Sequence, residues 1–304
     1  MQEIFNKLCN FLRICGIDSS LAAVLMVDAL GADRVVGLQM PSRYSTDHSA
    51  DIIREYTAKY PDLFKPIYQT ENQYSKGVKV SATFQFPRAK GKYIALCEGD
   101  DYWTDPYKLQ KQVDFLESHP EYVMCSHVFD RYIQSERDIQ SSTNIDWAGK
   151  TYTQENVIRG DWPIQTATVV FKRKALDINH FCKFRITTDT VLFYALMKEG
   201  KGVCLSDSMS VYRVHQNGVW SGTNEAQQWA RCISVLLSIF EVEKSKEAAE
   251  FVRTGLLYGV GRRTYLENSR LSYLLLRVVA KYKGWPYVLK WLWNKFVLGE
   301  DLEK

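Results

Sequence analysis

The sequence predicts an α/β protein: a mostly parallel sheet flanked by helices, with a helical C-terminal appendage. Three observations carry that prediction. Helical and strand-like segments alternate from the start of the chain to Gly222, the pattern of a parallel sheet. A short apolar strand, Tyr93 to Cys97, runs straight into Glu98-Gly99-Asp100-Asp101, and open α/β sheets bind ligands at the carboxyl ends of their strands. After Gly222 the strand pattern stops and helical periodicity continues, which divides the chain into 1–222 and 223–304.

Taken in order, residues 2–13 and 19–30 read as helices, and 34–40 as a buried strand ended by Pro41. Residues 51–59 form a helix, 63–68 a short strand and 69–79 a polar loop. A helix-like stretch, 82–89, leads into the strand at 93–97. Asp105-Pro106 is a start signal for a helix over 105–118, because an Asp cap followed by Pro suits the first turn. A strand at 122–129 is followed by a polar segment, 135–150, expected as a surface loop near the site. Residues 167–172 read as a strand and 190–198 as a helix ending at Gly200. Two short strands follow, 202–205 and 210–213.

A chain of 304 residues with 46% hydrophobic content can bury a large core. A net charge of +4 is too mild to imply nucleic-acid binding. Seven cysteines without a C-x-x-C pair argue against a disulfide framework or a zinc site and predict reduced, cytoplasmic thiols. No apolar run reaches the roughly 18 residues that span a bilayer, and the start has no signal-peptide pattern.

The acidic turn has two readings. Glu98 and Asp100 can converge on one divalent ion through hard oxygen ligands, with Gly99 leaving the backbone room to turn. Alternatively, the acids belong to a turn that precedes a helix, which explains Asp105 but not the other three.

The stretches STDHSADIIREYTAKYPD, AKGKYIALCEGDDYWTDPYKLQKQVDFLESHPEYVMC and YRVHQNGVWSG resemble the family 2 inverting glycosyltransferases of bacterial surface-polysaccharide synthesis, over about residues 45–222. The resemblance implies a GT-A-like fold, a nucleotide-sugar donor, and a saccharide or lipid-linked acceptor. It also implies Mn2+ or Mg2+ held at the D-x-D position, here Glu98-Gly99-Asp100. Asp101 is then a donor-binding neighbour, and Asp47, from the S-T-D signature, either contacts the donor or caps the helix near Asp51. The family's acceptor-side base corresponds to Asp189, which otherwise reads as a helix cap. Arg213 can pair with phosphate oxygens, and His215 can ligate the metal or donate to the leaving group. Trp220 closes over the donor or packs.

Residues 16–45 resemble the start of NAD synthetases, whose S-G-G-x-D-S loop binds ATP phosphates. Here that loop reads Ile14-Cys15-Gly16-Ile17-Asp18-Ser19-Ser20. The sequence shows no strand before Leu21 to deliver such a loop, so a vestigial ATP site and a fused N-terminus are expected. Met40-Pro41-Ser42-Arg43 stands where the glycosyltransferases carry base-binding acids.

Residues 268–299 carry six Lys or Arg residues and no acid, among Tyr273, Trp285, Trp291, Trp293 and other aromatics. This composition suits the headgroup layer of an anionic membrane, and packing is the alternative. The expectation is a metal-dependent inverting glycosyltransferase, cytoplasmic and peripheral at the inner face of the plasma membrane. A catalytically impaired sugar-nucleotide-binding protein and an ATP-dependent amide ligase are the competing readings.

Overall fold

The computed structural model describes residues 12–14, 37–39 and 49–244, short breaks at 62–63, 72, 99, 160–163 and 217–219 aside, and isolated positions at 246, 249, 280 and 284. Two compact units divide between His215 and Gln216.

The first unit is built on one sheet. Its strands are β1 (Leu12–Ile14), β2 (Gly37–Gln39), β3 (Tyr93–Leu96), β4 (Tyr102–Trp103), β5 (Tyr122–Ile133), β6 (Asp138–Gln140), β7 (Thr151–Tyr152), β8 (Val170–Lys172) and β9 (Lys201–Val214). Among the described residues the order across the sheet is β2-β1-β3-β8-β5-β9-β4, with β6 paired to β5 and β7 to β9. The helices are α1 (Ser49–Lys59), α2 (Lys108–Ser118), α3 (Gln154–Arg159), α4 (Ile178–Phe181) and α5 (Asp189–Leu196).

The α/β architecture is as expected, but the sheet is mixed. β1 is parallel to β2 and β3, and β5 is parallel to β9. β8 lies between β3 and β5 and is antiparallel to both. The directions follow: β3, β5 and β9 all point their carboxyl ends at one edge of the sheet, and β8 starts from that edge. Antiparallel β4 departs from the same region, pairing Tyr102 with Val211. The ends of β3 and β9 and the lead into β8 therefore meet at one edge.

Local sequence explains the elements that frame this edge. β3 is apolar at every position and fully buried, as suits a strand covered on both faces. In α2 the buried residues Lys108, Leu109, Gln112, Val113 and Leu116 recur at helical spacing and form one stripe. The helix ends at His119 because Pro120 disfavours helical backbone in the residue before it. Val113 and Leu116 join Tyr93, Ala95, Cys97, Trp103, Ala167, Val170 and Val203 in the core.

A first strand does exist: Leu12–Ile14, where the sequence predicts the end of a helix over 2–13 and the start of a loop, is β1, inserted in parallel between β2 and β3. Three residues are too few to carry a period, so only pairing defines the strand. The strand expected at 63–68 shrinks to an isolated bridge at Phe64. The two strands expected at 202–205 and 210–213 are one long strand, β9, whose register against β5 shifts near Val128. The segment 135–150 contains β6 and a short 3-10 turn, Ile145–Trp147. Helix α2 starts at Lys108, three residues later than expected, with Asp105 accepting the Tyr107 N–H at 2.7 Å before it.

In the second unit, α6 (Glu225–Glu243) opens on a capping box in which Asn224 and Gln227 satisfy each other's backbone N–H groups. No helix of the described residues is long and apolar enough to cross a membrane. Residues 15–36, Asp47 and nearly all of 268–304 lie outside the described residues.

Candidate donor and metal site

Glu98, Asp100 and Asp101 follow β3 directly, at the edge where the strand ends converge. Each offers a carboxylate oxygen within 4.8 Å of the others. Oxygen ligands about 2.1–2.5 Å from a central cation lie at most about 5 Å apart, so the cluster has the dimensions of a hard-ion site. Glu98 is exposed, Asp100 half-buried and Asp101 fully buried.

Burial makes Asp101 the anchor of the group. Its Oδ1 accepts the backbone N–H of Arg213 at 3.0 Å, and its Oδ2 accepts from the Gln165 side-chain amide. Burial, followed by the charges of Glu98 and Asp100, pushes its carboxyl up to about 8, against those two hydrogen bonds. Accumulated negative charge of this kind favours a cation. Burial and the same three carboxylates raise the Tyr212 hydroxyl to about 12, so Tyr212, on β9, feels this cluster too.

The end of β9 supplies the next group. Nε2 of His215 lies 3.1 Å from Oδ2 of Asp100, which brings a second type of metal-ligating atom to the acidic turn. Arg213 is tied to the turn through its main chain.

A short 3-10 turn, Thr166–Thr168, forms the third wall. Trp103 Nε1 donates to the Ala167 carbonyl at 2.9 Å, and Gln112 Nε2 donates to the carbonyls of Thr168 and Cys125, each at 2.8 Å. Oγ1 of Thr166 lies 3.4 Å from Oδ2 of Asp189, longer than an ordinary hydroxyl hydrogen bond. Asp189 is exposed and is the first residue of α5; Thr188 holds the cap position and makes no side-chain cap bond. The Asp189 carboxylate instead accepts the Thr190 N–H at 2.7 Å through Oδ1, which leaves Oδ2 facing Thr166.

Glu98, Asp100, Asp101, Arg213 and His215 thus assemble as a group, with Asp189 joined to it through Thr166. Trp220 is half-exposed in the second unit, where its carbonyl accepts from Thr223 and Gln228. Gln165 carries no signal in the sequence, because a lone Gln in a loop has no spacing to mark it, whereas Tyr212 opens the YRVHQNGVWSG stretch without a role of its own there. Cys97, Cys125 and Cys204 are buried, and burial raises the thiols of Cys125 to about 12 and Cys204 to about 11.

Residues 43–181 match the model of glycosyl transferase family 2. An uncharacterized protein of Mycobacterium tuberculosis is 32% identical over 215 residues, covering 67% of this chain and 60% of its own length, so the chain spans about three-fifths of that relative. TuaG of Bacillus subtilis, assigned by name to teichuronic acid biosynthesis, is 25% identical over 178 residues, 58% of this chain and 67% of TuaG. Among solved structures, Staphylococcus aureus TarS 1-349 in complex with UDP-GlcNAc superposes with a TM-score of 0.60 at 13% identity, covering 88% of this chain and 80% of that one. At the N-terminus, a glutamine-dependent NAD(+) synthetase of Synechocystis is 62% identical over 34 residues, 11% of this chain but 6% of the synthetase. The acidic turn at the sheet edge thus lies within the segment, residues 43–181, that matches the glycosyl transferase family 2 model, on a fold similar to that of TarS.

Proposed function

We propose that this chain is an inverting glycosyltransferase that moves a sugar from a nucleotide-diphospho-sugar to a saccharide or lipid-linked acceptor in cell-surface polysaccharide synthesis. The observation that carries the reading is the convergence of Glu98, Asp100 and Asp101 to within 4.8 Å, with His215 on Asp100.

In this reading Glu98, Asp100 and His215 hold a divalent cation, Mn2+ or Mg2+, which offsets charge on the departing diphosphate. Asp101 orders the acidic turn, and Arg213 pairs with phosphate oxygens. Asp189 takes the proton of the acceptor hydroxyl as that oxygen bonds to the anomeric carbon. The bond from that carbon to the diphosphate breaks, its electron pair leaves on the phosphate oxygen, and the configuration inverts. Asp47 is the further donor contact in this assignment. The name of TuaG and the UDP-GlcNAc bound to TarS support the choice of substrate class. The basic, aromatic composition of 268–299 supports peripheral attachment to the inner face of the plasma membrane, with a cytoplasmic catalytic unit.

Thermal stabilisation by UDP-, GDP- and dTDP-sugars with and without Mn2+ tests the donor class; a ligand at a hundred times its Kd adds about 2.7 kcal/mol to stability. Asp100→Asn removes an anionic ligand from a half-buried turn, so the fold is expected to survive while Mn2+-dependent nucleotide binding is lost. Undiminished Mn2+-dependent affinity for UDP and GDP in that variant overturns the metal assignment.

A further inference from the structure

We propose that Gln165 is a positioning residue of the donor site, acting through Asp101. The inference rests on the metal-diphosphate reading above and assigns a residue that the family match alone does not pick out. Asp101 is completely buried, and among the described residues its two carboxylate oxygens are held from opposite segments: Oδ1 by the Arg213 N–H at the end of β9, Oδ2 by the Gln165 amide before β8. One carboxylate therefore joins the three chain segments that meet at the sheet edge, and Gln165 is the side chain that closes the joint. Releasing it frees both the acidic turn carrying Glu98 and Asp100 and the β9 end carrying His215.

Gln165 is itself held in a defined pose. Its Oε1 accepts the Ala167 N–H at 2.7 Å, which orients the amide so that Nε2 faces Asp101. Its main-chain carbonyl accepts from the Thr168 N–H at 2.9 Å and from Thr168 Oγ1 at 2.6 Å. The turn that follows is buried and pinned by Trp103 and Gln112. A side chain fixed at both its base and its carbonyl end transmits the position of that turn to Asp101 with little slack, the kind of supporting contact that metal and phosphate sites need around their direct ligands. Because the same turn presents Thr166 to Asp189, Gln165 also sets the acidic turn in register with the proposed base.

The test is Gln165→Met, which keeps the length of the side chain and removes the amide, read by calorimetry of UDP binding with and without Mn2+ and by melting temperature. Loss of the one hydrogen bond that ties Asp101 to the turn before β8 is expected to raise the Mn2+-dependent Kd for UDP about tenfold. The melting temperature should change little. A folded variant that binds UDP with Mn2+ as the wild type does overturns the inference, as does a drop in melting temperature with unchanged affinity, the signature of a purely structural contact. Wild-type protein that shows no Mn2+-dependent UDP binding overturns the donor-site reading, and this inference with it. Should Gln165→Met not fold, Gln165→Asn keeps an amide one methylene short of Asp101 and is expected to weaken binding in the same direction; unchanged binding there also overturns the proposal.

Discussion

Asp189→Asn separates chemistry from stability. The Thr190 N–H, 2.7 Å from Oδ1, keeps its acceptor in asparagine, because the amide oxygen can take the Oδ1 place. The Thr166 hydroxyl, 3.4 Å from Oδ2, can rotate to accept from the new amide nitrogen. No hydrogen bond has to be lost. What disappears is one negative charge at the first position of α5, where an exposed anion contributes about 0.3–1 kcal/mol by facing the positive end of the helix. For a protein of this size that amounts to a fall in melting temperature of at most about 4 °C. Loss of the proton acceptor acts on a different scale, since a positioned general base contributes about 10²–10⁴-fold to rate. The expected outcome is near-normal folding, near-normal Mn2+-dependent UDP affinity, and transfer reduced by at least two orders of magnitude. Melting temperature, calorimetry and transfer of labelled sugar, all on the same preparation, measure the three quantities. A variant that is destabilised yet active refutes the base assignment and leaves Asp189 as a helix-terminal charge.

Two further predictions concern the core and the tail. His127 is fully buried, its Nδ1 lies 2.7 Å from the Val128 carbonyl and so carries the proton, and its buried Nε2 has no hydrogen-bond partner among the described residues. Burial, with Lys108 adding to it, holds its pKa well below 6.5, so its contribution to stability is complete above that pH and is lost as pH falls. The lost contribution approaches about 1.4 kcal/mol per pH unit below 6.5, and His127→Gln should flatten that part of a pH–stability profile measured in urea; an unchanged profile refutes the assignment. For residues 268–299, deletion of 268–304 should release the protein from anionic vesicles, and rising salt should weaken binding of the intact chain; co-sedimentation in which the intact protein ignores such vesicles refutes membrane attachment.

The sequence by itself determined the strand that delivers the acids, the helix behind it, and the identity of the charged groups, because each is written in a contiguous pattern. Tyr93 to Cys97 is uniformly apolar, α2 repeats its buried residues at helical spacing, and carboxylates after a strand need no distant partner to be recognised. Three-residue β1 was invisible for the opposite reason: it has no period, and only its place between β2 and β3 makes it a strand. The direction of β8 was equally hidden, since alternation of helix and strand does not reveal the sheet edge from which a strand departs. That direction brings Gln165 to Asp101 across 64 positions of sequence and sets the end of β9 against the same carboxylate. Tertiary structure alone decided which acid is buried. Asp100 and Asp101 are identical neighbours in the chain, yet one is half-buried beside His215, while the other is sealed between two strand ends, where desolvation and neighbouring charge change its chemistry.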